Sequence, residues 1–512
     1  MNRTAAFVTG VLLLGTVFPA DVFAEDWPQF QHDQYRTGRT SDQVAPPYRV
    51  RWCWLGPTLT IRNRRNTSNP ADPDLIPGDI IGAEIALPTS VPQTFSGMMQ
   101  PIIAGGRVFV GDLDGRVYAI NENDGTTLWV ASNPGGTYFS GACAGSVVVF
   151  ASVTGYVTAF NTATGATVWS SNVGPVISAP VTNGAIVCIG STDRRVYAKN
   201  IADGSGGWVS PDLGGPIVGG LAMDDQYVYV GAENMMFYQL NISNGQIARS
   251  IKVSGQSFQA QWPVIHSSFV FVSASPIVCI GSEYVGEDVM GGATSVANEM
   301  ARWRQFLQGQ GGFTNASPDW KFFTVLRRSD FTEPYLVPMG PFDGCGQPPD
   351  PPAVDNQGRI WGYFKSRWNY FARSCGFGTA YQVDLRTIDL ATGDCVIVNN
   401  GRVADGAWYA WETDNLYGLS FGGNYMYLRQ HFRGTQAINY TNTNARAVSN
   451  LYHVRDGGTW LGDIQYANNY ENGDRVPTTT MRGMYNRQPV SISNGKLYIC
   501  ETFCVTAAEN HQ

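Results

Sequence analysis

The stretch VYAINENDGTTLW at residues 117–129 decides the fold, because the chain repeats it at a nearly constant spacing. Copies follow as VTAFNTATGATVW at 157–169 and VYAKNIADGSGGW at 196–208. A fourth copy, FYQLNISNGQIAR at 237–249, has Arg249 in place of the final tryptophan. Successive copies start 40, 39 and 41 residues apart. A constant period of this length indicates one supersecondary unit that is used repeatedly.

Each copy has the pattern of short antiparallel strands joined by hairpins. Residues 107–110 form an apolar run, residues 112–115 have the composition of a turn, and residues 117–121 alternate before a second turn that ends in glycine. Runs rich in Val, Ile, Tyr and Phe between Asp-Gly or Asn-Gly pairs are typical of such strands. Glycine supplies the positive backbone angle that these turns need. Three or four strands in each period of about forty residues predict one blade of a β-propeller.

The same residues carry a family resemblance. The pattern Ala-x-Asn-x-x-(Thr/Asp)-Gly-x-x-x-Trp, at 119–129, 159–169 and 198–208, resembles the tryptophan-docking repeat of quinoprotein-like (PQQ-binding-like) β-propellers. A degenerate copy lies at 389–393, and WPQF at 27–30 is similar to the opening of secreted members. The resemblance implies that each docking tryptophan packs against the neighbouring blade. The docking residues that it implies are Trp129, Trp169 and Trp208, with Gly125, Gly165 and Gly204.

The number of repeats predicts the size of the ring. Repeats begin near Gln100, Ser140, Ser178, Val218, Gln261, Pro352, Leu416 and Pro489. We therefore expect an all-β fold, a closed β-propeller of four-stranded antiparallel blades, with eight blades and with seven as the alternative. Residues 48–54 alternate and stand before the first full repeat, so we expect them to close the last blade and leave no unpaired sheet edge. On this interpretation residues 25–512 form a single domain.

The first 24 residues have the composition of a signal peptide. An apolar stretch at 5–18 follows Arg3, and Val22-Phe23-Ala24 offers small residues for cleavage before Glu25. No later run approaches the ~18 apolar residues that a spanning helix requires. We expect an exported protein, either periplasmic or extracellular. The formal net charge of −7 provides no basic footprint for nucleic acid.

Two long segments, 55–99 and 284–350, interrupt the repeats and are interpreted as insertions. The second is expected to contain a short helix at 295–309, because apolar residues recur there at helical spacing. The residues on that apolar face are Val296, Met300, Trp303 and Leu307. The helix either caps the ring or forms a lid over a partner or ligand. A third irregular stretch, 436–482, is rich in Asn, Tyr and Thr and predicts long loops.

The chain has nine cysteines, and an odd number leaves at least one free or paired with another chain. Cys188 and Cys279 both lie in Ile-Val-Cys-Ile-Gly runs and are interpreted as small core residues. Cys500 and Cys504 flank a short segment, and Cys345, Cys375 and Cys395 cluster in one region. Disulfides among these five are an alternative to free thiols after export, because an oxidising compartment permits them. The other two cysteines are Cys53 and Cys143.

Few residues support catalysis. The enzymes of the resembling family use a pair of adjacent cysteines under the quinone, with calcium or a lanthanide held by Glu, Asn and Asp. This sequence has no Cys-Cys pair and no Cys-x-x-Cys-His for a haem. Its five histidines form no metal pair in sequence. Asp112 and Asp114 fall in an expected hairpin turn and lack the spacing of a calcium loop.

These observations predict an exported, non-catalytic propeller that acts as a protein-interaction or structural scaffold of the cell envelope or exterior. We expect no catalytic, cofactor-binding or metal-binding residues, and we expect protein partners in the envelope or self-association. The chain resembles the non-enzymatic secreted members of the family and its outer-membrane assembly lipoprotein, but no cysteine follows the expected cleavage site to carry a lipid. The alternative is a PQQ-dependent dehydrogenase, with calcium, or another enzyme that uses the central funnel.

Overall fold

The computed structural model describes residues 25–45, 48–63, 77–82, 94–275, 289, 291–314, 316–340, 350–366, 382–397, 416–430, 434–441, 449–450, 489–501 and 503–510. The expected signal peptide and most of the irregular stretch 436–482 lie outside these residues. The same holds for Cys279, Cys345, Cys375, His431, His453 and His511.

The first half of the described chain consists of short strands. They are β1 (Arg39–Thr40), β2 (Tyr48–Gly56), β3 (Leu59–Asn63), β4 (Pro77–Gly82), β5 (Ile102–Ala104), β6 (Arg107–Gly111), β7 (Arg116–Asn121), β8 (Thr127–Ser132), β9 (Ala142–Ala144), β10 (Val147–Ala151), β11 (Tyr156–Asn161), β12 (Thr167–Asn172), β13 (Val181–Thr182), β14 (Ile186–Gly190), β15 (Val196–Asn200), β16 (Trp208–Val209), β17 (Ala222–Met223), β18 (Tyr227–Ala232), β19 (Met236–Asn241) and β20 (Ile247–Lys252).

The second half continues the pattern and adds one described α-helix, α1 (Val296–Leu307), and a 3₁₀ turn (Pro318–Trp320). Its strands are β21 (Val264–His266), β22 (Phe269–Ser273), β23 (Phe323–Arg327), β24 (Ala353–Val354), β25 (Ile360–Ser366), β26 (Gln382–Ile388), β27 (Cys395–Ile397), β28 (Leu416–Gly422), β29 (Tyr425–Gln430), β30 (Gly434–Asn439), β31 (Ser449–Asn450), β32 (Ser491–Ser493), β33 (Lys496–Cys500) and β34 (Val505–Asn510).

These strands form eight sheets, which are the blades of a propeller. Blades 1 to 4 are β5–β8, β9–β12, β13–β16 and β17–β20. Blade 5 is β21–β23, and blade 6 is β24–β27. Blade 7 is β28–β31 with β1, and blade 8 is β32–β34 with β2–β4. The predicted all-β propeller of eight antiparallel blades is thereby confirmed.

The first strand of each repeat lies at the centre of the ring. β9 contacts β5 and β13, β13 contacts β17, β17 contacts β21, and β24 contacts β28. β32 of the last blade contacts β5 of the first, so the ring closes on itself. The inner strands of a blade are covered on both sides by neighbouring blades, and all five residues of β10, the second strand of blade 2, are accordingly buried. This explains why inner strands are continuous apolar runs in the sequence.

Blade 8 is built from both ends of the described chain. β2 pairs antiparallel with β34, and Trp54 lies opposite Val505. β3 and β4 then continue the sheet outward, which gives this blade six strands. β3 and β4 both lie in the segment 55–99 that was interpreted as an insertion, and this part of the segment extends blade 8.

The segment 284–350 also differs from the expectation. β23 lies within it and pairs with β22 as the third strand of blade 5, with Phe271 opposite Val325. The departure from the repeat therefore lies inside a blade, between its second and third strands. A hairpin connection can be lengthened there without disturbing the pairing on either side, because loop-closure entropy grows only slowly with length.

Helix α1 is slightly shorter than the predicted 295–309. The Ser295 side chain accepts a hydrogen bond from the Asn298 amide at 3.1 Å and caps the N-terminus. Trp303 and Leu307 of the predicted face are buried, whereas Val296 and Met300 are only partly buried. Phe306 and Glu299 are buried as well. The helix thus packs along a face that is rotated toward Phe306 and includes a buried carboxylate.

Candidate functional site

Indole rings join consecutive blades at the outer part of the ring. The Trp129 indole N–H of blade 1 donates to the Thr162 carbonyl of blade 2 at 3.0 Å. Trp169 of blade 2 donates to the Ile201 carbonyl of blade 3 at 2.9 Å. Trp208 repeats the bond at 2.7 Å to a carbonyl of blade 4. Trp129 and Trp169 are buried and Trp208 is partly buried. Each bond gives the polar edge of the indole a partner across the blade boundary.

The glycine of the next blade lies directly under each indole. A Cβ added to Gly165 would stand 2.7 Å from Trp129 Cδ2, and one added to Gly204 would stand 2.7 Å from Trp169 Cδ2. Gly165 also has a φ of +72°, which side chains rarely adopt. Backbone conformation and close approach therefore both require glycine at this turn.

Gly125 meets a tryptophan that the sequence analysis did not assign. The Trp52 ring of blade 8 covers it, with 2.7 Å between Trp52 Cδ2 and a Cβ built on Gly125. The Trp52 indole N–H donates to the Glu122 carbonyl at 3.1 Å. Trp52 lies opposite Ala507 in the sheet, just as Trp129 lies opposite Ala119. The repeat is therefore present in blade 8, but its two halves stand at opposite ends of the sequence.

Two other blades replace the tryptophan. Arg249 stands at the tryptophan position of blade 4, and its guanidinium donates to the Gln239 side chain at 2.9 Å. Gly393, in the degenerate copy of blade 6, lies under the ring of Tyr335, which comes from the segment after β23. In blade 6 an aromatic ring therefore still packs on the glycine, although the ring comes from a different part of the chain.

The N-terminal thread (residues 25–45) runs around the propeller axis and visits the blades in order. Its residues form hydrogen bonds with the inner strands of blades 1 to 7 in succession. In blade 8 the hydrogen bond is to the turn that follows the inner strand. The bonds are Trp27 with Ile103 (2.9 and 2.8 Å), Pro28 with Cys143 (2.8 Å), Gln29 with Thr182 (3.0 Å, twice), Gln34 with Met223 (2.9 Å), Tyr35 with Ile265 (2.9 Å), Thr37 with Val354 (2.9 Å), Gly38 with Phe421 (2.8 Å) and Asp42 with Asn494 (2.7 Å).

Aromatic side chains meet at the axis. Phe30 of the N-terminal thread is fully buried and packs edge-on against Phe139 at 5.2 Å and Trp262 at 4.8 Å between ring centroids. Phe139 precedes blade 2 and Trp262 precedes blade 5, so a ring that touches both lies in the middle of the propeller. Met98 and Ala179 belong to the same buried cluster. Apolar side chains therefore fill the described centre of the ring, next to buried polar side chains such as Gln31 and Gln100.

A buried arginine ties the N-terminal thread to this centre. Arg36 has no exposed surface, and its guanidinium donates to the carbonyls of Leu221 at 2.7 Å, Pro180 at 2.6 Å and Phe30. Burial lowers the pKa of Arg36 to about 9, and the charge of Asp33 partly opposes that effect. The guanidinium thus links blades 3 and 4 to the thread at a single point.

His32 and Asp33 form a second polar group on the thread. His32 Nε2 lies 3.5 Å from Glu25 Oε1, and the Asp33 carboxylate accepts hydrogen bonds from the Thr37 amide at 3.0 Å and the Thr37 hydroxyl. Burial raises the pKa of Asp33, but the hydrogen bond and charge of His32 together with the bonds from Thr37 outweigh it and leave the pKa lowered. Among the described residues no group of three or more His, Cys, Asp or Glu could hold a metal ion.

This lowered pKa predicts a pH dependence. A carboxylate with a lowered folded pKa stabilises the fold above its ordinary pKa of 3.8, and the stabilisation is lost as the pH falls through the folded value. We expect the free energy of unfolding, measured in urea from pH 5 down to pH 2, to fall less steeply with acid in Asp33→Asn. Asp212→Asn, in the exposed pair with Arg194, serves as the control and should follow the wild type. Identical acid profiles for all three proteins would contradict this role of Asp33.

The remaining polar candidates have structural surroundings. The Asp112 carboxylate accepts hydrogen bonds from the Asp114 and Arg116 amides at 3.0 and 2.7 Å and from the Tyr118 hydroxyl at 2.7 Å. These bonds stabilise the hairpin turn between β6 and β7. His266 is half-buried, and burial lowers its pKa. A carboxylate that is occupied by its own turn offers little to a ligand.

The axial residues do not fit a quinone cofactor with calcium. Calcium takes six to eight oxygen ligands, whereas Phe30, Phe139 and Trp262 pack together at the described centre. No group of three or more Asp, Glu, His or Cys side chains among the described residues could hold a metal ion. The chain has no adjacent cysteine pair. Cys143, Cys188 and Cys395 are each buried in a different blade, and burial raises the pKa of the Cys143 thiol to about 12. These thiols are inert core groups.

Fold and site together define the class of this molecule, a closed eight-bladed β-propeller whose blades are joined by indole–glycine contacts. A family model described as outer membrane protein assembly factor BamB matches residues 82–140 and 113–314. The two matched ranges together span residues 82–314, a little under half of the chain, and with the repeat described above they confirm the predicted resemblance to the PQQ-like β-propeller family. No curated protein sequence matches the chain.

Solved structures of similar overall form have low sequence identity. BamB from Moraxella catarrhalis is 12% identical, covers 91% of this chain and 93% of its own, and has a TM-score of 0.39. The computationally designed Ika8 protein is 10% identical, with 81% and 96% coverage and a TM-score of 0.48. Quinohemoprotein alcohol dehydrogenase from Comamonas testosteroni is 13% identical, with 83% and 74% coverage and a TM-score of 0.49. No helix among the described residues has the length and apolar character needed to cross a bilayer.

Proposed function

We propose that this protein is an exported, non-catalytic β-propeller that serves as a protein-interaction or structural scaffold of the cell envelope or exterior. The observation that carries the proposal is the filled axis. The N-terminal thread bonds to all eight blades in turn, and Phe30 occupies the centre between Phe139 and Trp262. A ring whose centre is packed with its own side chains is rigid and presents its outer surface and loops to other molecules.

The residues at the described axis also distinguish this proposal from the alternative that the protein is a quinone-dependent enzyme. Enzymes of the family need oxygen ligands for calcium beside the quinone, and apolar rings occupy the described axis of this chain. A test adds pyrroloquinoline quinone and calcium to the purified protein and measures quinone absorbance on the protein after gel filtration, together with dye reduction by alcohols and sugars. We expect no bound quinone and no turnover. Stoichiometric quinone with dye reduction would overturn the non-catalytic proposal.

Export is supported by the signal-like composition of residues 1–24. The Glu25 carboxylate, directly after the expected cleavage site, accepts hydrogen bonds from the Thr40 hydroxyl at 2.8 Å and the Ser41 amide at 3.1 Å. A chain that is cleaved after Ala24 would keep Glu25 and both of these hydrogen bonds. N-terminal analysis of the protein from its native source should give Glu25 as the first residue. An intact Met1 in the native protein would contradict export through this signal.

A partner is tested by chemical crosslinking in native envelopes followed by purification of the propeller. The proposal predicts crosslinks from the outer strands and loops to another envelope protein or to a second copy. A known complex that crosslinks in the same envelopes serves as the positive control. If that complex crosslinks and the propeller shows only crosslinks within one molecule, the result would argue against an interaction role.

A further inference from the structure

Two buried cysteines meet at the joint that closes the ring. Cys53 lies in β2, near the N-terminus, and Cys504 lies directly before β34, near the C-terminus. Both side chains are fully buried. The Cys504 thiol is within hydrogen-bonding reach of the Cys53 sulfur. The two sulfurs are therefore neighbours in space although 451 positions separate them in the sequence.

Strand register explains why these two side chains face each other. Cys53 is paired with Thr506 across the β2–β34 ladder, and the Thr506 hydroxyl donates to the Cys53 sulfur at 3.7 Å. Residues two apart on a strand point to the same face. Cys504 therefore shares the face of Thr506 and Cys53, in the diagonal position from which long or soft side chains still reach each other.

The same register excludes the third cysteine of this region. Cys500 is paired with Val505 across the β33–β34 hairpin, so it points to the face opposite Thr506. Its thiol donates to the neighbouring Glu501 carbonyl at 3.5 Å. Of the three cysteines in blade 8, only Cys53 and Cys504 share one face of the sheet.

We propose that Cys53 and Cys504 form a disulfide that covalently closes the propeller ring at the joint between β2 and β34. As the S–S bond forms, the two thiols together lose two protons and two electrons. A disulfide oxidant takes up both and is reduced to two thiols. The cellular oxidant would be an exchange-competent disulfide protein of the exported compartment, so the reaction in the cell rests on the proposed export. Such a bond restricts the unfolded chain across a very long loop, where the entropic gain is largest.

The hydrogen bond to Cys53 and burial raise the pKa of the Cys504 thiol well above its usual range. Because the thiolate is the reacting species, we expect oxidation to occur while β2 docks on β34 rather than in the finished ring. A disulfide buried at this position would also be difficult for external thiols to reach.

The test refolds the reduced, purified full chain in a mixture of reduced and oxidised glutathione and maps peptides without reduction. We expect a Cys53–Cys504 crosslinked peptide, lighter by two hydrogen masses than the sum of its parts, and a higher Tm for the oxidised protein than for the reduced one. Cys500→Ala is the matched control and should keep the crosslink. The double variant Cys53→Ala/Cys504→Ala should lose it and should show no Tm difference between oxidising and reducing buffers.

Several outcomes would overturn the proposal. These are free thiols at both positions in the refolded protein, a crosslink that involves Cys500 instead, or equal Tm values for the oxidised and reduced wild type. The refolding experiment supplies its own oxidant and does not depend on the cellular location of the protein. Failure of the crosslink is therefore distinguishable from failure of export, which the N-terminal analysis of the native protein tests separately.

Discussion

Replacing Trp169 by alanine is expected to lower the free energy of unfolding by about 3–5 kcal/mol, the usual cost of removing a buried tryptophan. The indole is 8% exposed, covers Gly204 of the next blade, and donates to the Ile201 carbonyl at 2.9 Å. The substitution removes the packing and leaves a buried carbonyl without its donor. Chemical denaturation monitored by far-UV circular dichroism measures the change.

The neighbouring residue provides the matched control. Val168 lies next to Trp169 on the same strand but is 44% exposed, so Val168→Ala should change stability by about 0.5 kcal/mol or less. A loss in Trp169→Ala no larger than that of the control would show that the indole does not join the blades. Gly204→Ala should behave like Trp169→Ala in direction, because a Cβ there would stand 2.7 Å from the indole.

Replacing Arg36 by methionine is expected to lower the free energy of unfolding by about 3 kcal/mol or more, because each buried carbonyl left without a donor costs about 1–3 kcal/mol. Three carbonyls, of Phe30, Pro180 and Leu221, lose their donor at once. Buried polar groups without partners are costly. Methionine keeps much of the volume, so the loss reports the hydrogen bonds more than a cavity. Urea denaturation measures the change, and limited proteolysis should cut the N-terminal thread earlier in the variant.

Lys252→Met is the control for the loss of a positive charge, because Lys252 lies exposed at the end of β20. It should leave both the unfolding free energy and the proteolysis pattern close to those of the wild type. Unchanged stability of Arg36→Met would mean that the thread is not held at the centre by this guanidinium. In that case the apolar contacts of Phe30 would have to account for its position.

Sequence patterns predicted the repeated unit because the unit is local. A strand, a turn with glycine and a second strand are specified by residues within about forty positions, and the alternation and turn chemistry are visible there. Gly165 illustrates this, since a positive φ and a neighbouring aromatic ring both require glycine. The count of such units then led directly to eight blades. Insertions were less predictable, because β23 and part of 55–99 pair with strands that the local pattern does not identify.

Some contacts of the site could not be predicted in this way, because they join distant parts of the chain. Trp52 was not recognised as a docking residue, although VTA at 505–507 matches VTA at 157–159 and was the available signal. Its partner Ala507 reaches it only when the ring closes. The buried face of α1 also differs from the predicted face, because it includes Phe306, which the spacing of apolar residues did not identify.

By itself, the amino-acid sequence determined the blade, the number of blades and the glycine turns, because hydrophobic alternation and backbone conformation act between near neighbours. Only the tertiary structure decided that the N-terminal thread runs around the axis and bonds to every blade. The contact between Cys53 and Cys504 was also decided there. Those contacts form only when segments that are distant in the sequence come together in the closed ring. The free energy that selects them comes from burial and hydrogen bonding in the assembled propeller, which no short window of sequence contains.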